Sequence, residues 1–389
     1  MTKKIVLLMS FVLSLAMVLS ACQPAATPTT APATEAPVVT EAPAATEAPV
    51  VTEAPTPVPP TPTVDVMAQL IEAAKKEGTL VSYGLPDDWV NYGQLKQMLK
   101  DKYGIIDQDT DMSSGEIIAA LEAEKTAPVA DITDLGLNYA KIVEDEQLSQ
   151  PYKNSHWDEI PDWAKDPDGR WSAAYWGAIA FTVNADIIKN VPQTWDDLLK
   201  DEFVGKVCMK DPRSSATANM VVLAAAIAKG GDEKNVQPGL DFFKQMIDKG
   251  ILNGVKPSVA NIQKGECPVS LFWDFDGLSA KKENPNMNIQ VIIPKDGTVA
   301  GVYIQFITAG APHPNAAKLM IELEYSDEGQ LAYANGFVHP IRTSVTLPAD
   351  LLAQFPPEAD YSVVKFPKDY KALDAAGTAI SDGWALIQK

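Results

Sequence analysis

The stretch that decides the fold class is Val66 to Gly84, VMAQLIEAAKKEGTLVSYG, because its character changes part-way along. Leu70, Ile71 and Ala74 recur at the spacing of one helix face, so Val66 to Lys76 is expected as a helix with an apolar stripe. Gly78 stops it, and Thr79-Leu80-Val81-Ser82-Tyr83-Gly84 reads as a buried strand. The alternation continues downstream. Tyr92 to Tyr103 is helical, Ser113-Ser114-Gly115 opens a helix over Glu116 to Lys125, and Val129 to Asp134 is a strand ending in an acid. Helices alternating with strands predict an α/β fold with a mostly parallel sheet.

Farther on, Ser172 to Asn184 (SAAYWGAIAFTVN) is a long apolar run rich in aromatic and β-branched residues. A strand at Lys206 to Met209, a helix opening at Ser214 to Thr217 and another helix at Leu240 to Lys249 follow. Strands at Val269 to Trp273 and Val302 to Thr308 come next, and the chain is mainly helical from Ala316.

Upstream of Val66 the sequence is of another kind. Lys3 and Lys4 precede an apolar run from Ile5 to Leu19, the layout of an export signal over 1–21 and too short to remain as a membrane span. Leu19-Ser20-Ala21-Cys22 is similar to a bacterial lipobox, which implies a diacylglyceryl thioether on Cys22. Two acyl chains hold a protein firmly, at about 0.8 kcal/mol per buried CH₂. From there to Val64 the chain is almost wholly Pro, Ala, Thr, Val and Glu, with Thr-Glu-Ala-Pro at Thr34, Thr40, Thr46 and Thr52. Proline removes amide donors and fixes φ, so 22–64 is expected as an extended spacer.

The 325 residues left from position 65 suit two lobes of ordinary size. The formal charge is −19; without the two signal lysines and the four linker glutamates the body keeps −17. Nucleic acid is excluded as a partner, since phosphate binding needs a basic face. Cys208 and Cys267 each begin a short apolar run, and either a disulfide or two buried thiols would fit. No Cys-x-x-Cys occurs, and His156, His313 and His339 are scattered, so neither a metal nor a cofactor is expected.

Ligands of open α/β sheets lie beyond the carboxyl ends of the strands. That rule selects Asp87 and Trp89 after the first strand, Ser114 after the second and Asp134 after the third. It also selects Ser215 and Thr217, then Trp273, Asp274 and Asp276. Ser114 and Ser215 would put hydroxyls and free amides at helix starts, where the dipole favours an anion; simple capping explains them equally well. Strand alternation would point Asp274 and Asp276 the same way, beside an indole, as an ammonium requires. Tyr175 and Trp176 would form an apolar wall of the cleft or pack in a hinge core.

The body resembles the extracellular solute-binding proteins of bacterial ABC importers, in the cluster of iron(III), polyamine and phosphonate binders. Ala73 to Gly84, Val191-Pro192-x-Thr194-Trp195-x-Asp197-Leu198, Phe203-x-Gly205-Lys206, Asp211-Pro212-Arg213-Ser214-Ser215, Pro294-Lys295-Asp296-Gly297, His313-Pro314-Asn315-Ala316-Ala317 and Gly329-Gln330 carry the resemblance. It implies a two-lobe periplasmic-binding-protein-like (type II) fold with two crossing strands, near Tyr175 to Val183 and Val302 to Thr308. Lobe one would be 65–178 with 306–389, and lobe two 179–305. Tyr303 stands where polyamine binders carry an aspartate, and the chain lacks the adjacent tyrosine pair of ferric binders. The expectation is therefore a monomeric, lipid-anchored receptor on the outer face of the membrane, serving permease subunits and binding an amine-bearing or zwitterionic solute. An iron(III) or phosphonate receptor of the same fold and a surface adhesin are the rivals. No Gly-x-Ser-x-Gly, His-Glu-x-x-His or Gly-x-x-x-x-Gly-Lys motif points to an enzyme.

Overall fold

The computed structural model describes residues 65–388. The export signal, Cys22 and the linker expected over 1–64 lie outside the described residues. Asp65 caps α1 (Val66–Glu77), accepting from the Ala68 amide at 3.1 Å, and Gly78 ends it at φ 69°. There follow β1 (Thr79–Tyr83), α2 (Tyr92–Tyr103), β2 (Ile106–Thr110), α3 (Ser114–Ala123) and β3 (Ile132–Gly136). α4 (Ala140–Asp145) and β4 (Ser149–Gln150) lead to the long β5 (Ser172–Asn184). Then come β6 (Val207–Cys208), α5 (Ala216–Ala228), α6 (Gln237–Asp248), α7 (Val259–Gln263), β7 (Val269–Trp273), α8 (Asp274–Glu283) and β8 (Ile289–Ile292). The chain closes with β9 (Thr298–Thr308), α9 (Pro314–Tyr325), α10 (Asp327–Asn335), β10 (His339–Pro340), α11 (Ala349–Leu352), β11 (Val364–Lys365) and α12 (Tyr370–Ile387).

The strand order β2-β1-β3-β9-β5-β7-β6 explains the two lobes. β5 and β9 are antiparallel and shared. The first half of β5 pairs with β9 from Ser172 to Ala178, and its second half pairs with β7 and β8 from Ile179 onward. β9 in turn pairs with β3 through Tyr303 to Ile307. A mostly parallel sheet was expected, and here the structure corrects the sequence reading. Only β1 with its two neighbours, β6 with β7 and β11 with β9 run parallel; the long shared strands are antiparallel. Long apolar strands buried on both faces carry no periodic mark of their direction.

α12 reaches across the divide. At its start Tyr370 packs edge-on against Trp171, 5.3 Å between centroids, and donates to Glu144 at 3.0 Å. Near its end Trp384 meets Phe243 of α6 at 5.4 Å, and between them the Asn219 amide of α5 donates to the Gly377 carbonyl at 3.1 Å. Within 306–389, α9 and α10 pack on α1, β1 and α2, whereas α12 packs against α4 as well as against α5 and α6. Cys208 and Cys267 are joined by a disulfide, with Cα atoms 5.6 Å apart, ringed by Ile262, Phe272 and Ile289.

Candidate functional site

β2 and β3 both run parallel to β1, so the loops after Tyr83 and Thr110 and the end of β3 leave from one edge. Across from that edge lies the loop from β6 into α5. Between them is a cavity of about 440 Å³. Gly84, Trp89, Asp111, Ser113, Ser114, Glu116 and Asp134 line it from the β1–β3 side. Lys210, Asp211, Ser215, Thr217 and Lys256 face them, and Tyr303 of β9 lies between.

Asp134 is almost fully enclosed, with 4% of its surface exposed. Its Oδ2 accepts from the Tyr175 hydroxyl at 2.7 Å and the Trp89 indole at 3.1 Å, and its Oδ1 from the Gln305 amide. Burial outweighs these donors and pushes its carboxyl up to about 8. Trp89 is held there by a strained turn: Val90 and Asn91 have φ of 44° and 67°, and the Asn91 amide is tied to the Ala332 carbonyl at 2.7 Å. A β-branched residue at positive φ costs about 1–3 kcal/mol and persists only when its surroundings impose it. On the other side the Trp273 indole donates to Thr217 Oγ1 at 3.1 Å and to the Tyr303 hydroxyl at 3.3 Å.

The two walls differ in charge. On the β1–β3 side Glu116 takes the Ser113 amide at 2.8 Å and the Ser113 hydroxyl at 2.6 Å, which holds its carboxyl below the usual range. Asp111 adds a second acid, while Ser114 Oγ accepts from the Gly136 amide at 3.2 Å. The protein's own Glu116 thus puts a carboxylate at the head of α3, on the N-cap Ser113, and disfavours a second anion there. The first turn of α5 carries no acid. Ser215 caps that helix, accepting from the Ala218 amide at 3.3 Å, and the first helical amides, Ala216 and Thr217, cannot be reached by any intrahelical carbonyl. Lys210 and Lys256 stand on this wall.

Of the residues expected from sequence, Trp89, Ser114, Asp134, Ser215, Thr217 and Tyr303 meet at the cavity. Tyr175 and Trp273 are buried just behind it, reaching it through Asp134, Thr217 and Tyr303. Four others are elsewhere. Asp87 pairs with Lys96 at 3.0 Å in a separate depression. Trp176 stacks on His339, ring centroids 3.9 Å apart. Asp274 is completely enclosed, accepting from the Ala178 amide at 2.9 Å and the Tyr361 hydroxyl at 2.8 Å. Asp276 lies outside the lining, close enough for Lys210 to pull its carboxyl down, though burial still raises it to about 7. The strand ends at Trp273, so both acids belong to the first turn of α8 and strand alternation does not apply. The sequence reading missed Asp111, Glu116, Lys210 and Lys256. The Ser113-x-x-Glu116 spacing, a capping-box pattern, could have found one of them. Among the described residues no group of three His, Cys, Asp or Glu could hold a metal ion.

Residues 127–368 match the family profile described as bacterial extracellular solute-binding protein. The chain belongs to this family. A Haemophilus influenzae relative of uncharacterised role is 29% identical over 261 residues, 63% of this chain and 73% of that one. A Salmonella typhi protein provisionally named as a 2-aminoethylphosphonate-binding periplasmic protein is 24% identical over 257 residues, 64% and 72% of the two chains. Periplasmic binding protein AfuA of Actinobacillus pleuropneumoniae, with fructose-6-phosphate bound, shares the fold at a TM-score of 0.67 and 23% identity, covering 79% of this chain and 97% of that one. Iron-bound HitA of Pseudomonas aeruginosa gives 0.66 and 17%, with 80% and 99% covered. This solute-binding protein is the capture subunit of an ABC importer, works with permease subunits and acts on the periplasmic or extracellular side.

Proposed function

We propose that the cleft takes a small zwitterionic solute, with its acidic end at the head of α5 and its amino end toward Asp134, Asp111 and Glu116. The opposition of charge between the two walls carries this reading: unreached helix amides, Lys210 and Lys256 on one side, where the carboxylate of Asp211 is paired with Arg213, and Asp111 and Glu116 on the other, with the raised carboxyl of Asp134 able to ionise beside an ammonium. An anion at a helix start gains from both the amides and the dipole, and an ammonium gains beside carboxylates. The Salmonella relative named for an aminophosphonate fits the same charge pattern. Trp89, Ser114, Asp134, Ser215, Thr217 and Tyr303 are the contact residues in this proposal, with Tyr175 and Trp273 as their supports.

A solute touching both walls stabilises the closed arrangement over the open one, and no covalent step is required. The lobes divide at 178/179 and 305/306, with α12 as a shared element; the switch of β5 partners at Ala178 and Ile179 supports the first boundary. Both walls come from one chain, which supports action as a monomer. The Leu-Ser-Ala-Cys sequence supports a lipid anchor on Cys22, with 22–64 as its tether.

Titration calorimetry with the purified protein tests the reading against 2-aminoethylphosphonate, an amino acid, a sugar phosphate, spermidine and ferric citrate. Saturable binding of compounds bearing both charges, tighter than spermidine or ferric citrate, is expected. Binding confined to either of those two overturns it.

A further inference from the structure

Lys210 and Lys256 make no ion pair among the described residues, although both line the cavity. Neither rests on extensive secondary structure. Lys210 follows a strand of only 2 residues, and Lys256 lies in a stretch, 253–258, with no helix or strand. A lysine on such supports is a diffuse charge rather than an aimed one.

The disulfide changes that. Cys208 is the last residue of β6, immediately before Met209 and Lys210. The Cys267 sulfur lies 3.6 Å from the carbonyl oxygen of Lys256 and 3.8 Å from that of Val255. Val255 packs into the small apolar cluster that encloses both cysteines. The Asn261 amide holds the Lys256 carbonyl at 2.9 Å, and Asn253 ties the same loop to the Glu266 carbonyl at 2.8 Å, next to Cys267. One covalent bond, spanning 59 residues of sequence, therefore joins the two segments that carry the two cations.

We propose that Lys210 and Lys256 select a doubly charged acidic group on the solute, a phosphonate or phosphate over a carboxylate, and that the Cys208–Cys267 disulfide positions them for it. The inference rests on the reading that the acidic end of the solute sits at this wall. Reduction by dithiothreitol supplies two electrons and two protons, leaving two thiols here and a cyclic disulfide on the reagent. The start of the Lys256 loop then keeps its backbone bond to Val207 of β6, donated by the Asn253 amide at 3.0 Å, but the covalent link behind Lys256 is gone and the cations lose the restraint that fixes their common aim.

The experiment compares affinities for 2-aminoethylphosphonate and its carboxylate analogue β-alanine in the oxidised parent, the reduced parent, Lys210→Gln and Lys256→Gln. Each lysine variant should lose roughly tenfold in phosphonate affinity, the scale of one charged hydrogen bond, and distinctly less for the carboxylate. Reduction should lower the phosphonate-to-carboxylate ratio in the same direction while circular dichroism stays unchanged. General loosening would weaken both ligands alike and leave the ratio where it was. Should reduction unfold the protein, the oxidised Asn261→Ala variant replaces it, since it frees the Lys256 carbonyl without touching the sulfurs; a lowered ratio is again expected. Lysine variants that bind phosphonate as tightly as the parent overturn the selection role. An unchanged ratio on reduction, or in Asn261→Ala where that replaces it, overturns the positioning role. A parent that binds neither compound overturns the underlying reading of the wall, and this proposal with it.

Discussion

Gly177 of β5 and Gly301 of β9 stand directly opposite each other, at the point where the two shared strands pass from one half of the sheet to the other. A Cβ on Gly301 would fall 1.8 Å from the Trp273 ring, and one on Gly177 would fall 2.4 Å from Phe275. The missing side chains are what allow two aromatic rings from the β7–α8 junction to lie across the crossing. Trp273 cannot keep its place, and with it its bonds to Thr217 and Tyr303, unless position 301 is bare.

Gly301→Ala should therefore destabilise by about 1–3 kcal/mol, the usual cost of overpacking a filled core. Because the displaced ring anchors Thr217 and Tyr303, solute affinity should fall as well. Urea unfolding and calorimetry on the same variant check both halves. Gly205→Ala is the control for a glycine with free space: a Cβ there meets nothing within 4 Å, although its φ of 69° leaves a backbone cost.

Trp89→Phe keeps an aromatic ring against Phe275, 5.2 Å between centroids in the parent, but removes the indole N–H together with the second ring. Asp134 then loses one donor to its Oδ2, and its carboxyl should rise further above about 8. An ammonium-bearing solute should bind roughly tenfold more weakly at neutral pH, in line with about 1.5 kcal/mol for a charged hydrogen bond. A solute without an amino group should be almost indifferent. Affinity measured for both compounds decides it.

Stability should fall as the pH rises from about 4 to about 8. Burial raises Asp107 to about 6, Asp276 to about 7 and Asp134 to about 8 from an ordinary 3.8. Glu324, fully buried with both carboxylate oxygens unpartnered, shifts the same way. Below about pH 4 folded and unfolded chains are both protonated and these groups contribute nothing. Above it the unfolded chain gives up protons that the folded one keeps, at about 1.4 kcal/mol per pH unit for each group until its folded value is passed. Asp134→Asn should flatten the slope between pH 7 and 8. Melting temperatures across that range are the measurement, and a slope unchanged in the variant would refute the assignment.

How much of this was legible in the sequence depends on what kind of signal each residue leaves. Trp89 and Ser215 could be found because they lie between a strand and the next helix, where the pattern changes; Asp134 was found because the apolar run breaks at it, although β3 continues to Gly136. Lys210 and Lys256 could not, since a loop lysine looks like any solvated lysine until a cavity is seen beside it. Asp274 lies elsewhere for a definite reason: strand alternation stops at Trp273 and does not extend to Asp276, because Asp274 to Asp276 form the first turn of α8. Acids are favoured in a first turn by the helix dipole, so Asp274-Phe275-Asp276-Gly277 was open to that reading too. The antiparallel course of β5 and β9 left no local mark, because direction is set by the partners and not by the strand.

Ser215 separates capping from solute recognition, the two roles the sequence left open. Ser215→Ala deletes the acceptor for the Ala218 amide and should cost about 1 kcal/mol of stability, the typical loss of an N-cap. That result alone would not distinguish the roles. Ser215→Asp does, since aspartate caps a helix as well as serine and adds a favourable charge at the positive end of the dipole. Its stability should match or exceed that of the parent. Its carboxylate, however, would occupy the seat proposed for the acidic end of the solute, as Glu116 occupies the head of α3. Binding of an aminophosphonate should then drop by a hundredfold or more, about 3 kcal/mol, from lost contacts and repulsion together. A stable Ser215→Asp protein that still binds at parental affinity would show that the head of α5 is only capped, and that the acidic end lies elsewhere in the cavity.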